Sequence, residues 1–277
     1  MQFATSADGT HVAWARIGSG RPIFKAPNWL NHLDYEWRSP LWTPFYTAVA
    51  KKRELVRFDQ RGNGLSEWEP GEISETRMVE DMHAVIQSAG LERFSMFVIS
   101  QGCSFSIRYA TRYPEKVSCL VFVGGYLRGR LRRDSEDQKK LHEALGMLID
   151  QGWGSPNPVF RHTFSSSFMP DAPVELANGF DELQRVSTSP ESAKRIWHMN
   201  NDVDVTEMAR NLEIPTLVLH CEDDRVAPLE EGQLIAKTMP NSRFVQLPGN
   251  NHVLVPNTPA FDLFLTEMDR FLSEHGA

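Results

Sequence analysis

Three residues far apart in this chain have types that together activate a hydroxyl: Ser100, Asp224 and His252. Ser100 lies in FVISQGCSFS, Phe97 to Ser106, where an apolar run meets Ser-Gln-Gly and a helical pattern follows at once. A serine hydroxyl is a weak nucleophile near neutral pH and needs an adjacent base. Histidine, with an unperturbed pKa of about 6.5, takes that proton and later hands it to a leaving group. A carboxylate holds the imidazole tautomer and stabilises the imidazolium. The chemistry would be acyl transfer through a covalent serine intermediate. The local pattern is close to G-x-S-x-G, a sharp strand-to-helix turn that exposes a serine, but Val98 stands where the first glycine belongs. Ser100 alone therefore reads equally as a nucleophile or as a turn serine, and its partners decide.

Those partners need elements to position them. HVAWARIG (His11 to Gly18) alternates as a strand, and the turn Asp8 to Thr10 joins it to a short first strand. PIFKAP (Pro22 to Pro27), ELVRFD (Glu54 to Asp59), RFSMFVIS (Arg93 to Ser100) and VSCLVFVGG (Val117 to Gly125) read as buried strands. TLVLHC (Thr216 to Cys221) and RFVQL (Arg243 to Leu247) complete a set of eight. Helical spacing fills the intervals: Trp42 to Lys52, a segment through Met78, Met82, Val85 and Ile86 ending at Gly90, Gly102 to Tyr113, Leu229 to Met239, and a closing helix Ala260 to His275. Strict alternation predicts an α/β fold, a mostly parallel eight-stranded sheet with helices on both faces. The alternation breaks at Leu127, and only helical patterns and loops follow to about Arg210. The expected organisation is a core of residues 1–126 and 211–277, with 127–210 as a helical lid insertion.

Ligands of open α/β sheets sit beyond the carboxyl ends of the strands. Ser100 ends the fifth predicted strand, EDDRVAP with Asp223 and Asp224 follows the seventh, and PGNNHVL with His252 follows the eighth. Serine, acid and histidine thus come in that order, each at a carboxyl end. Stabilising an oxyanion requires two N–H donors, one after the serine and one from the loop after the third strand. Those are Gln101 and, in APNWLNHL, Trp29. The insertion carries Trp153, Phe160, Phe164, Phe168, Met169, Phe180 and Trp197. Most of these are expected to pack the lid onto the core. Trp153, Phe164 and Phe168, with Trp29, are the candidates to line an apolar pocket above Ser100.

Composition narrows the remaining classes. The 277 residues are 41% hydrophobic and 23% charged with net charge -7, which suits one folded core and no nucleic-acid surface. The densest basic run, RGRLRR (Arg128 to Arg133), reads as a solvated loop because acidic residues follow it. MQFATSADGT lacks the pattern of a signal peptide, and no window reaches the roughly 18 apolar residues of a membrane span. Cys103, Cys119 and Cys221 show no metal-ligand spacing and read as buried, reduced thiols. The expectation is a cytoplasmic protein with a small-molecule substrate and no metal, cofactor, nucleic-acid or membrane partner; its oligomeric state is left open.

The chain resembles the α/β-hydrolase-fold superfamily over nearly its full length, through SQG at Ser100 to Gly102, DQRGNGLS at Asp59 to Ser66, DDRVAP at Asp223 to Pro228 and NNH at Asn250 to His252. More narrowly, APNWLNHLDYEW, GYLRGR and LQRVSTSPESA look similar to bacterial members found beside or fused to nucleotide cyclases and transcriptional regulators. The resemblance implies Ser100 as nucleophile, His252 as base and Asp224, directly before RVAP, as acid; if Asp224 instead caps the following helix, Asp223 or Glu222 is the substitute acid. It gives the Asp59 to Ser66 loop a structural role only. Two departures are Val98 at the first elbow position and the missing His-Gly of the oxyanion loop. The implied activity is serine hydrolysis of a small carboxylic ester or similar acyl compound. Carbon–carbon bond hydrolysis of a diketone, lactonase and thioesterase activities use the same machinery. A non-catalytic ligand sensor on this fold is the rival outside the enzymes.

Overall fold

The computed structural model describes residues 1–133 and 135–276. Its eight strands are β1 (Gln2–Thr5), β2 (His11–Gly18), β3 (Arg21–Lys25), β4 (Arg53–Phe58), β5 (Phe94–Ile99), β6 (Val117–Val123), β7 (Thr216–Cys221) and β8 (Ser242–Leu247). They form one sheet in the order β1-β2-β4-β3-β5-β6-β7-β8. The pairs β1–β2 and β2–β4 are antiparallel, and every other pair is parallel. The fully buried runs of β5, β6 and β7 occupy the middle of the sheet, as near-continuous apolar strands must.

Eleven α-helices are described: α1 (Leu33–Glu36), α2 (Trp42–Ala50), α3 (Glu75–Ser88), α4 (Gly102–Arg112), α5 (Glu136–Gly152), α6 (Val159–Phe168), α7 (Val174–Ser187), α8 (Pro190–Asn201), α9 (Thr206–Arg210), α10 (Leu229–Thr238) and α11 (Pro259–His275). Their starts follow local chemistry. Ser74, Ser135, Ser189 and Thr258 cap α3, α5, α8 and α11 through their side chains, and Pro190 and Pro259 open α8 and α11. Helices α2 and α11 share one face of the sheet, where Phe45 meets Phe261 and Phe264 at ring separations of 5.1 and 5.7 Å. Helices α3, α4, α9 and α10 pack together on the other face.

Helices α5 to α9 lie between β6 and β7, in the predicted insertion. Helix α9 packs on α4 and α10, so the helices added to the core are α5 to α8. They are fastened to the core in part through the DQRGNGLS loop and the turn that follows it. Gly64 N–H donates to Ser187 O (2.7 Å), Thr188 Oγ1 to Gly62 O (2.6 Å), and Arg195 to the carbonyl of Gly71 (2.8 Å). That loop is itself fixed from below. Arg61, fully buried, donates to both oxygens of Asp81 (2.7 and 2.8 Å) and to Asp8 (2.8 Å). Asp59 accepts the amides of Leu33 (2.8 Å) and Leu65 (2.9 Å).

The strand-to-helix turn at Ser100 keeps its strain despite Val98. Ser100 has φ of +55°, a left-handed conformation that an L-residue holds only when its surroundings require it. Val98 is buried in β5, opposite Phe122 of β6. The space for its side chain comes from Gly102. A Cβ at Gly102 would stand 3.3 Å from Val98 Cγ1 and 2.6 Å from the carbonyl oxygen of Pro27. Gly102→Ala is therefore expected to lower stability by roughly 1–3 kcal/mol. The measurement is urea unfolding of the two proteins, and an unchanged midpoint would contradict this packing.

Candidate active site

Each candidate residue leaves its element at the same edge of the sheet. Ser100 follows β5, and its N–H donates to Val123 O at the end of β6 (3.0 Å). Asp224 follows β7. Its Oδ1 accepts from the amides of Val226 (2.8 Å) and Ala227 (3.0 Å), which leaves Oδ2 for His252 Nδ1 at 2.7 Å. His252 lies in the loop after β8 and is buried. Gly124, at φ +58°, sits directly against this pair. A Cβ there would approach His252 Cε1 and Nδ1 to 3.0 Å and Asp224 Oδ2 to 3.4 Å. With Nδ1 committed to the carboxylate, Nε2 lies on the other side of the ring. It is buried and, among the described residues, has no hydrogen-bond partner. The substitute acids are out of place: Glu222 and Asp223 are exposed, and Glu222 binds Gln246 (3.1 Å).

Burial opposes ionisation of Asp224, but the facing imidazole of His252, then His220 and the Ala227 amide, outweigh it and hold the carboxyl below its usual range. His220 is more than a packed core residue. Its Nε2 donates to Ala227 O (2.9 Å) and lies 3.5 Å from Asp224 Oδ2, while Nδ1 is buried without a partner. Cys103, two residues beyond Gln101, is buried, and burial holds its thiol far above the usual range, as expected of a packing residue.

The loop after β3 is held by a buried polar network. Asn28 Oδ1 accepts from Lys25 Nζ (2.5 Å) and Asn31 Nδ2 (2.8 Å). The Asn28 carbonyl accepts from Gln60 (3.2 Å) and Gln101 (2.9 Å), and the Trp29 carbonyl from Gln60 (3.0 Å). Among the described residues, the main-chain N–H groups of Trp29 and Gln101 have no acceptor. The side chain of Gln101 thus ties its own turn to the Trp29 loop, and its Oε1 accepts from Asn200 of α8.

A narrow cleft of about 40 Å³ opens at Ser100. Trp29, Gln101 and Phe168 line it, as do Tyr126, Arg130, Arg133, Trp197, Asn200 and Asn201. Trp153 and Phe164 lie outside that lining. Both are buried in ring contact with Trp29, at 5.9 and 6.2 Å, and support it from behind. Phe168 reaches the histidine itself, ring to ring at 5.4 Å, and its carbonyl accepts from Val253 N–H (3.1 Å).

The basic run after β6 is a correction to the sequence reading. It is not a solvated loop: Arg130 and Arg133 are buried and face the cleft. The available signal was its position, immediately past the carboxyl end of a central strand. Acidic neighbours along the chain outweighed that signal, although burial depends on neighbours in space. Asn200 and Asn201, at the end of α8, gave no signal that a helix surface would not also give.

These coordinates meet a family relationship. A family model described as alpha/beta hydrolase fold matches residues 32–258, and the chain belongs to that family. RutD of Azorhizobium caulinodans, whose name provisionally assigns it carbamate hydrolysis, is 26% identical over 222 residues, 79% of this chain and 81% of its own. The pyrrolizixenacetamide deacetylase of Xenorhabdus hominickii is 24% identical over 229 residues, 81% of this chain and 83% of its own. Among solved structures, a thermophilic esterase from Thermogutta terrifontis superposes with a TM-score of 0.77 at 19% identity, covering 99% of this chain and 98% of its own. Among the described residues, no helix is long and apolar enough to cross a membrane, and no cluster of three or more His, Cys, Asp or Glu is arranged to hold a metal ion.

Lys25 makes the loop network sensitive to pH. Burial pushes its ammonium down to about 8, partly offset by Glu36 and Asp59 and reinforced by Arg57. The unfolded chain keeps the ordinary value of about 10.4. Between these values the unfolded state binds the extra proton, so native stability rises with pH. Relative to Lys25→Met, the wild type is expected to gain roughly 2 kcal/mol between pH 7 and pH 9.5. Urea titrations of both proteins at the two pH values measure this difference, and a constant gap would refute it.

Proposed function

We propose that this protein is a serine hydrolase that cleaves a small carboxylic ester or a closely related acyl compound. The observation that carries the reading is a buried imidazole bonded through Nδ1 to Asp224, with Nε2 unpartnered among the described residues, at the same sheet edge as a serine held at φ +55° on a strand-to-helix turn. Ser100 Oγ attacks the acyl carbon while His252 Nε2 takes its proton. Asp224 stabilises the resulting imidazolium. The free amides of Trp29 and Gln101 receive the negative charge that develops on the carbonyl oxygen. Collapse breaks the bond to the leaving group, which departs with the proton from His252. Water then gives its proton to His252 and its oxygen to the acyl-enzyme. The acid is released and Ser100 regains its proton. Among the described residues no hydrogen bond joins Nε2 to Ser100, and such bonds commonly tighten only when substrate binds.

Residues 127–210 act as a lid in this reading. Phe168 and Trp197 from α6 and α8 line the cleft and shield the reacting atoms from water. Relatives named for carbamate hydrolysis and for deacetylation support the acyl-transfer class of this reading.

A fluorophosphonate probe is expected to label Ser100, identified by mass spectrometry of the modified peptide. Ser100→Ala abolishes the label. His252→Ala and Asp224→Asn each lower p-nitrophenyl acetate turnover by about 10²–10⁴. Absence of labelling and turnover, with a small ester raising the melting temperature, would replace the enzyme by a ligand sensor.

A further inference from the structure

The segment after β6 places two buried guanidinium groups in the wall of the cleft that holds Ser100. Arg130 and Arg133 are each only 6% exposed. Arg133 has partners: its Nε donates to Arg128 O (3.0 Å), and Glu231 lies 3.8 Å away. Glu231 is also bound by Arg128 at 2.8 Å, so one buried carboxylate serves both. Arg130 has no carboxylate within ion-pair distance among the described residues. Its Nη2 donates to Val226 O (3.2 Å), and its Cζ lies 5.3 Å from the ring of Trp197. Among the described residues its Nη1 is buried without an acceptor.

A guanidinium cannot shed its charge in a protein, and burying it unpaired is strongly unfavourable. Burial first, then the neighbouring Arg133, pull Arg130 down to about 10, against the opposing pull of Tyr126 and Asp224. The group is thus costly where it stands, and it borders the cleft instead of a sealed core. A planar fork with a free N–H and a second cation beside it matches a carboxylate.

We propose that Arg130, with Arg133 beside it, binds a carboxylate carried by the substrate. The preferred substrate is then an acyl compound with a second, anionic end, such as a half-ester of a short dicarboxylic acid. This inference rests on the reading of Ser100 as the nucleophile, and it adds a substrate class to that reading. Stacking on Trp197 and the bond to Val226 orient the guanidinium. Because Val226 lies two residues from Asp224, the anion site and the acid share one loop.

The test compares monomethyl succinate with methyl 4-oxopentanoate, which replaces the carboxylate by a methyl ketone of nearly the same shape. Hydrolysis of each ester by water to acid and methanol is followed by proton release. The wild type is expected to favour the anionic ester in kcat/KM by roughly ten- to hundredfold, expressed mainly in KM. Arg130→Gln collapses that preference to within about threefold, and Arg130→Lys restores part of it. Equal losses on both esters, or a wild type that favours the neutral one, would overturn the proposal and reduce Arg130 to a tether of the Val226 loop. Calorimetry on Ser100→Ala separates binding from chemistry. Monomethyl succinate is expected to bind there, and to bind at least about tenfold more weakly once Arg130→Gln is added. If neither ester is hydrolysed but this binding difference holds, the catalytic reading fails and the anion site stands. Equal or absent binding of the two esters to Ser100→Ala overturns the anion site.

Discussion

The left-handed backbone at Ser100 is the constraint around which the site is assembled. A residue there leaves the direction of β5 and starts α4 within a single step, so its side chain stands above the sheet edge instead of within a face. The conformation is unfavourable in isolation, and neighbouring contacts enforce it. Ser100 N–H is held by the carbonyl of Val123, and α4 approaches so closely that Gly102 has no room for a Cβ against Pro27. The same close approach brings the Pro27–Trp29 loop against the start of α4. One packing contact therefore sets both the hydroxyl and the two free amides near it.

Around this turn the molecule accepts an unusual amount of buried polarity. Lys25, Asn28, Asn31, Gln60 and Gln101 form a network beneath the loop, and Asp59, Arg61 and Asp81 another beneath the helices added to the core. Buried polar groups are tolerable only when satisfied, and these largely are. Each bond has a directional partner, so the network fixes main-chain positions that apolar packing would leave looser. The match is not complete: among the described residues Asn31 Oδ1 and Gln60 Oε1 of the network lack a partner, and so does Arg130 Nη1 beside the cleft, which of the three alone belongs to a charged group.

The helices between β6 and β7 are coupled to the chemistry by more than proximity. Phe168 touches the ring of His252 and accepts a bond from the next residue, Val253. Asn200 binds the side chain of Gln101, whose own amide is one of the two unpartnered donors. Any displacement of α6 or α8 would therefore be felt at the histidine and at the turn together. Conformational steps of this kind control access in many enzymes.

Much of this architecture is legible in the amino-acid sequence. Apolar strands and amphipathic helices follow from local periodicity, which is why HVAWARIG and TLVLHC became β2 and β7 without adjustment and the ends of the other bounded strands moved by at most two residues. The positions of Ser100, Asp224 and His252 followed from strand ends, because a parallel sheet gathers those ends along one edge. Tertiary structure alone decided which side chains meet there. It buries Asp224 and bonds it to His252 at 2.7 Å, while Glu222 and Asp223 stay exposed. It set Trp153 and Phe164 behind Trp29, and it carried Arg130 and Arg133 inward. Sequence encodes burial along an element through its period, but an irregular segment has no period. Whether its charges meet water or a cleft depends on chain that returns from elsewhere.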